Sequence, residues 1–138
     1  MLRRLATAVP SSASVRQRVV LVVEDDRSVR RIECEVLAQE GWTVVEAARA
    51  EDALALAAAH RGELDILVTD LSLPGLRGCE LAARLLRETP WLGVVFTSGY
   101  PDDDGLVGRF PGAVFLQKPF TLEALTAAVD AVSARVAA

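Results

Sequence analysis

An α/β fold built on a parallel sheet is the architecture this sequence predicts. Five short apolar runs rich in β-branched residues alternate with segments whose apolar residues recur at helical spacing. The first run, Val19 to Val23, is continuous rather than alternating, which is the pattern of a strand buried on both faces. Strand and helix in repeated succession imply βαβ units, a parallel sheet and right-handed crossovers. Neither an internal repeat nor a second domain is visible.

Val19-Val20-Leu21-Val22-Val23 is the first strand, and it ends at Glu24-Asp25-Asp26. A helix should follow from Arg27, with Val29, Ile32, Val36 and Leu37 on its inward face and Gly41 as its stop. Thr43 to Ala47 is the second strand. The alanine-rich segment from Ala50 to His60 is the second helix, and Ala53, Leu54 and Ala57 form a small-residue stripe that would lie close to the sheet. Leu64 to Thr69 is a buried central strand that delivers Asp70, and Pro74-Gly75 then turns the chain. Gly78 to Glu88 is the third helix, with Leu81, Leu85 and Leu86 inward. Gly93 to Thr97 is the fourth strand. Between Pro101 and Gly108 the three acids Asp102, Asp103 and Asp104 suit the first turn of a short helix, where the dipole favours them. Ala113 to Gln117 is the fifth strand, followed by Lys118-Pro119. Thr121 caps a last helix with Leu122, Leu125, Val129, Val132 and Val136 inward.

A chain of 138 residues suggests one domain with a real core. Its composition, 51% hydrophobic and 25% charged, is that of an ordinary globular protein, and a net charge of −4 leaves no global basic footprint for nucleic acid. Cys34 and Cys79 show neither metal-like nor disulfide-framework spacing, which favours a reduced, cytoplasmic setting. No apolar run approaches the roughly 20 residues of a transmembrane helix. Residues 1–17 carry Arg3, Arg4 and Arg16 and no acid. The apolar part, Leu5 to Val9, is short for a signal-peptide core, so this segment reads as a flexible leader to a domain over residues 18–138.

In open α/β sheets the carboxyl ends of the strands share one rim, and ligands bind there. The first strand delivers Glu24 and Asp25 to that rim, the third Asp70, the fourth Thr97 and the fifth Lys118. Two carboxylates about 5 Å apart repel by roughly 3 kcal/mol at an effective dielectric of 20, so such a cluster invites a cation. An all-oxygen donor set suits Mg²⁺, or Mn²⁺ in its place. A divalent ion, an ammonium and a hydroxyl around one carboxylate form a pocket for a phosphoryl group, with Asp70 as the attacking nucleophile. Taken singly, each signal has a plainer meaning. An acidic cluster before a helix is usually a solvated helix start, and a lysine before proline is usually on the surface. Only their joint occurrence at alternating strand ends argues for a site.

The set Val22-Val23-Glu24-Asp25-Asp26, Val68 to Gly75, Val94 to Gly99 and Phe115 to Phe120 resembles the receiver domain of two-component response regulators, over about residues 18 to 137. The resemblance implies a flavodoxin-like three-layer fold, with five strands in order 2-1-3-4-5 and five helices. It implies Asp70 as phosphoacceptor, Glu24 and Asp25 as the acidic Mg²⁺ pair, and Ser72 as the donor of a backbone carbonyl to the metal. It also implies Lys118 as the lysine on the phosphoryl group, Thr97 as the switch hydroxyl, Phe115 as the aromatic that turns inward, and a cis peptide before Pro119. There are departures. Glu24 stands where Asp is as common, Arg77 replaces a frequent acid, and the fourth helix is short and broken by glycine.

The expected function is that of a phosphorylatable switch rather than an enzyme, with only slow hydrolysis of its own acyl phosphate. A sensor histidine kinase or a histidine phosphotransfer protein would donate the phosphoryl group. A downstream protein would read the face made by the fourth helix, fifth strand and last helix, and a homodimer through that face is compatible with the family. Neither direct nucleic-acid binding nor a membrane association is expected. No output domain is expected after the last helix, which leaves a stand-alone regulator or a receiver associated with a hybrid histidine kinase. Two rival readings fit the residues less well. A haloacid-dehalogenase-type phosphatase needs an acid two residues after Asp70, where this chain has Ser72. A phosphorylation-independent binding module would have no use for the intact site residues.

Overall fold

The computed structural model describes residues 18–101 and 105–137. The strands are β1 (Val19–Val23), β2 (Thr43–Ala47), β3 (Leu64–Asp70), β4 (Gly93–Ser98) and β5 (Val114–Gln117). They form one parallel sheet in the order β2-β1-β3-β4-β5. Four helices of ten residues or more alternate with them: α1 (Arg27–Gln39), α2 (Ala50–Ala59), α3 (Gly78–Glu88) and α5 (Leu122–Ala137). The intervening α4 (Leu106–Arg109) is a single turn. The expected leader over residues 1–17 and the acidic run 102–104 lie outside the described residues, as does the side chain of Val136.

Alternation along the strands sorts the core into two layers. Leu21 and Val23 face Ala50 and Ala53 of α2 and Leu81, Ala82 and Leu85 of α3. Val20 and Val22 face Leu37 of α1 and Leu125, Val129 and Val132 of α5. Every residue of β1, β3 and β4 is buried, as their continuous apolar character requires. The polar exception near the start of β3, Asp65, sits at a shift of register between β1 and β3, where its Oδ2 accepts the Val19 N–H at 2.9 Å. The stripe of Ala53, Leu54 and Ala57 does pack on the sheet side, and α4 contributes Leu106, followed by Phe110 stacked edge-on against Phe96 at 5.0 Å.

Two inward assignments need correction. Ile32 is 49% exposed, and Glu33 takes the buried place on α1 at 2% exposure. Val29, Glu33 and Leu37 are four residues apart, so the acid falls within the apolar stripe. Leu122, in the first turn of α5, is 43% exposed, and packing begins at Leu125. Trp42 is a buried lid under the Arg18 guanidinium, 4.3 Å from the ring centroid, whereas Trp91 stands half exposed.

The helix ends follow their capping residues. Asp26 accepts the Val29 N–H at 3.1 Å and caps α1, and Thr121 accepts the Ala124 N–H at 3.0 Å and caps α5. Asp26→Ala is therefore expected to lower stability by about 1 kcal/mol in urea denaturation. Cys34 and Cys79 are free, and burial pushes the Cys34 thiol up to about 12, with Glu46 and Glu33 adding to the shift, so it is an unreactive packing group. His60 ends α2 beside Glu63, with Nδ1 3.3 Å from the carboxylate.

Candidate functional site

Parallel pairing brings the five strand ends to one rim. Asp70 is in register with Thr97, and the next residue, Leu71, donates its N–H to the Thr97 carbonyl at 2.9 Å. Glu24 donates its N–H to the Ala47 carbonyl at 3.1 Å, and Lys118 donates to the Ser98 carbonyl at 2.6 Å. The peptide between Lys118 and Pro119 is cis. Backbone pairing thus fixes where each of these side chains starts.

Lys118 lies between two carboxylates. Its Nζ donates to Glu24 Oε1 at 2.7 Å and to Asp70 Oδ2 at 3.1 Å. The other oxygens of both acids are held by backbone donors: Asp26 N–H meets Glu24 Oε2 at 3.0 Å, and Ser72 N–H meets Asp70 Oδ1 at 3.0 Å. Glu24 is 1% exposed and Asp70 is buried as well, so neither is a solvated helix start. Burial pushes the Glu24 carboxyl up, and Asp70 adds to this, against the pull of Lys118 and of the Asp26 N–H. Burial alone would lower the Lys118 ammonium, but its hydrogen bonds to Glu24 and Asp70 outweigh that and raise it.

Asp25, which is exposed, completes the cluster. Ligand oxygens of Glu24, Asp25 and Asp70 lie within 4.8 Å of one another. Three carboxylates against one ammonium leave about two negative charges when all are ionised. That excess and the purely oxygen donor set fit a divalent hard cation such as Mg²⁺.

Other expected residues take these places. Thr97 is buried on β4, directly beside Asp70 in the sheet, and Ser72 is exposed just past it. Phe115 is half-buried on β5, paired with Phe96. The third helix begins in contact with the backbone of Asp70: a Cβ on Gly78 would collide with the Asp70 carbonyl oxygen, so the close approach of α3 requires glycine there. Arg77, the substituted acid position, instead opens α3, where its N–H donates to Glu80 Oε1 at 3.0 Å.

Two contributors were not foreseen. Arg30 donates from Nη1 to the Glu24 carbonyl at 2.8 Å and from Nε to Glu46 at 3.0 Å, tying α1 to the ends of β1 and β2. Nothing in the sequence sets it apart from Arg27 and Arg31. Glu33 lies behind the cluster, within the fields of Glu24, Lys118 and Asp70, with Oε2 unpartnered among the described residues. Its four-residue spacing from Val29 and Leu37 was the available signal. The groove of about 400 Å³ lined by Trp91, Gly93, Phe110 and Pro111 lies at the opposite, N-terminal end of the strands.

Residues 20–130 match the family described as the response regulator receiver domain. The chain belongs to that family. This receiver domain is 36% identical over 113 residues to the sensor kinase CckA of Brucella abortus, covering 80% of this chain and 12% of the kinase's length. It is 31% identical over 122 residues to the chemotaxis protein CheY of Pseudomonas aeruginosa, covering 85% of this chain and 97% of that protein. Among solved structures, the receiver domain from the hybrid histidine kinase CckA aligns with a TM-score of 0.72 at 30% identity, covering 83% of this chain and 98% of that one. The flavodoxin-like order 2-1-3-4-5 is thus the order of a receiver sheet.

Proposed function

We propose that Asp70 is the phosphoacceptor of this receiver domain, within a unit spanning residues 18–138 that follows a leader of residues 1–17. The observation that carries the reading is the Lys118 ammonium bridging Glu24 and Asp70 in a rim of three carboxylates. Glu24, Asp25, Asp70 and the Ser72 backbone carbonyl would hold Mg²⁺, with Mn²⁺ as a substitute. When bound, the ion supplies neutralising charge for the phosphoryl oxygens.

The remaining chemistry belongs to the chain. The Ser72 N–H and Lys118 fix the two Asp70 oxygens before reaction, so the carboxylate is oriented in advance. An Asp70 oxygen forms a bond to phosphorus as the phosphorus–nitrogen bond of a phosphohistidine breaks, and the departing imidazole keeps the electron pair. Lys118 then turns its charge to the phosphoryl oxygens. Thr97, beside Asp70 in the sheet, donates its hydroxyl to the same group, and Phe115 fills the space it leaves, which changes the α4-β5-α5 face.

The donor is a sensor histidine kinase or a histidine phosphotransfer protein, the reader is a downstream protein, and the face is also the surface for a homodimer. Direct binding of nucleic acid is no part of this reading. The protein is a switch that turns over only its own acyl phosphate. Its setting is the cytoplasm, and no described helix is long and apolar enough to cross a membrane.

Intact-protein mass after incubation with acetyl phosphate tests this. The expected result is one phosphoryl adduct that needs Mg²⁺ and is absent from Asp70→Asn. An adduct that persists in that variant, or none from acetyl phosphate or any phosphohistidine donor, would overturn it.

A further inference from the structure

Helices α2 and α3 pack on the same face of the sheet and leave a furrow between their C-terminal halves. Its floor is Leu54, Ala57 and Leu85, and its volume is about 700 Å³. A second hollow of about 500 Å³ shares Ala57, Arg61 and Leu85 with the first and carries the furrow on to Trp91, which is 51% exposed. Both hollows lie where the helices end and β3 and β4 begin, at the opposite end of the sheet from the carboxylate rim. Three arginines line the furrow: Arg61 just past α2, and Arg84 and Arg87, both exposed and three residues apart on one face of α3. Among the described residues Glu88 is the one acid that lines it, 3.8 Å from Arg61. No acid among them forms an ion pair with Arg84 or Arg87. Glu80, one turn before Arg84, accepts the Arg77 N–H at 3.0 Å, and His60, beside the second hollow, faces Glu63 at 3.3 Å. Beyond Asp52 the exposed side of α2 offers only Ala55, Ala58 and Ala59, so no charge on that helix screens the arginines.

We propose that this furrow docks an acidic segment of a partner protein, with carboxylates on Arg84 and Arg87 and an apolar side chain laid on Leu85 against Trp91. Charge complementarity selects the occupant. Three arginines against one glutamate leave the furrow positive in a chain whose net charge is −4. A guanidinium without an internal partner takes a carboxylate through paired, charge-assisted hydrogen bonds. Tryptophan and arginine around an apolar floor are the residue types that carry most of the energy of protein–protein contacts. A nucleic acid fits less well. The floor is aliphatic rather than a row of rings on which bases stack, and the negative net charge opposes a long polyanion. The furrow shares no residue with the carboxylate rim, so the proposal stands apart from the phosphoacceptor reading.

The test presents the whole chain to a library of random short peptides and titrates the selected peptides, fluorescently labelled, by anisotropy. The selected sequences should carry several acids beside an aliphatic or aromatic residue. Their affinity should fall about tenfold with either Arg84→Glu or Arg87→Glu, several-fold with Trp91→Ala, and further as salt is raised. All three side chains are exposed, so circular dichroism of the variants should match the parent. No selected binder, or binders whose affinity survives both charge reversals, would overturn the proposal. So would a single-stranded oligonucleotide or a phosphatidylserine vesicle that binds in place of acidic peptides and is lost on charge reversal, since the furrow would then read phosphate. Asp70→Asn should bind the peptides as the parent does, so a failure of the phosphoacceptor reading leaves this result intact.

Discussion

Glu33→Leu is expected to make the protein more stable at neutral pH and to remove much of the fall in stability toward alkaline pH. Glu33 is buried on α1 behind the charged rim, and no group among the described residues bonds to its Oε2. Burial, aided by Glu24 and Asp70 and opposed by Lys118, pushes its carboxyl up to about 8 from an ordinary 4.5. The folded state therefore holds a proton that the unfolded chain releases between those two values. With more protons bound in the folded state, stability decreases as pH rises. The contribution is greatest below about 4.5, is lost progressively up to about 8, and is flat above that. At pH 7 the penalty is on the order of 3 kcal/mol, from about 1.4 kcal/mol per pH unit. Leucine removes the titration and adds apolar atoms to an apolar layer. Urea denaturation in EDTA at pH 5.5, 7 and 8.5 should show the two proteins converging at low pH and separating as pH rises. Glu33→Gln should flatten the profile with a smaller gain, since the amide leaves a buried polar group in need of partners. Parallel profiles for all three proteins would mean that Glu33 titrates as an ordinary acid.

The same residue marks where the sequence stops being readable. The strands were legible because most are short apolar, β-branched runs closed by a turn or charged signal, with Glu46 in β2 and Asp65 in β3 as interruptions. The site was legible because its polar residues come immediately after those runs, so that strand pairing alone carries Glu24, Asp70, Thr97 and Lys118 to one rim. A helix gives weaker guidance. On α1 the residues Val29, Ile32, Val36 and Leu37 make an acceptable stripe, and so do Val29, Glu33 and Leu37. The choice is made by what the sheet and α5 present to the helix, and there it went against hydrophobicity, seating the acid and leaving Ile32 in solvent. Leu122 shows the same limit at a helix start, where the first turn projects beyond the layer it will join. A contact such as Arg30 with Glu46 joins residues that only the finished topology makes neighbours. One short segment, Leu106–Arg109, forms only one turn, as its glycines suggest, but it starts at Leu106 behind Gly105 and has no acid in its first turn, so Asp102, Asp103 and Asp104 do not open it as expected.

Lys118→Ala should destabilise the protein by about 3 kcal/mol in EDTA, and Mg²⁺ should restore more stability to the variant than it adds to the parent. Removing one partner of a buried ion pair is worse than replacing the pair, because the charge left behind has lost its compensation. Such changes amount to about 3–5 kcal/mol, and the lower end applies because Lys118 is a quarter exposed. Here two buried carboxylates lose their donor, Glu24 Oε1 and Asp70 Oδ2, while the backbone N–H groups of Asp26 and Ser72 still hold the opposite oxygens. Glu24, already raised by burial, should rise further, so the deficit against the parent should be larger at pH 8 than at pH 5. The ammonium and a divalent ion compensate the same negative charge. The increase in Tm on adding Mg²⁺ should therefore be greater in Lys118→Ala, although phosphoryl uptake should stay low, since the ammonium proposed to meet the incoming oxygens is gone. Equal Mg²⁺ shifts in the two proteins would show that lysine and cation serve different charges and would remove the electrostatic basis for the metal site. Lys118→Arg then separates charge from shape. Guanidinium returns the positive charge, and with it much of the stability, but its planar fork does not replace a point charge seated between two acids, so uptake should stay well below that of the parent.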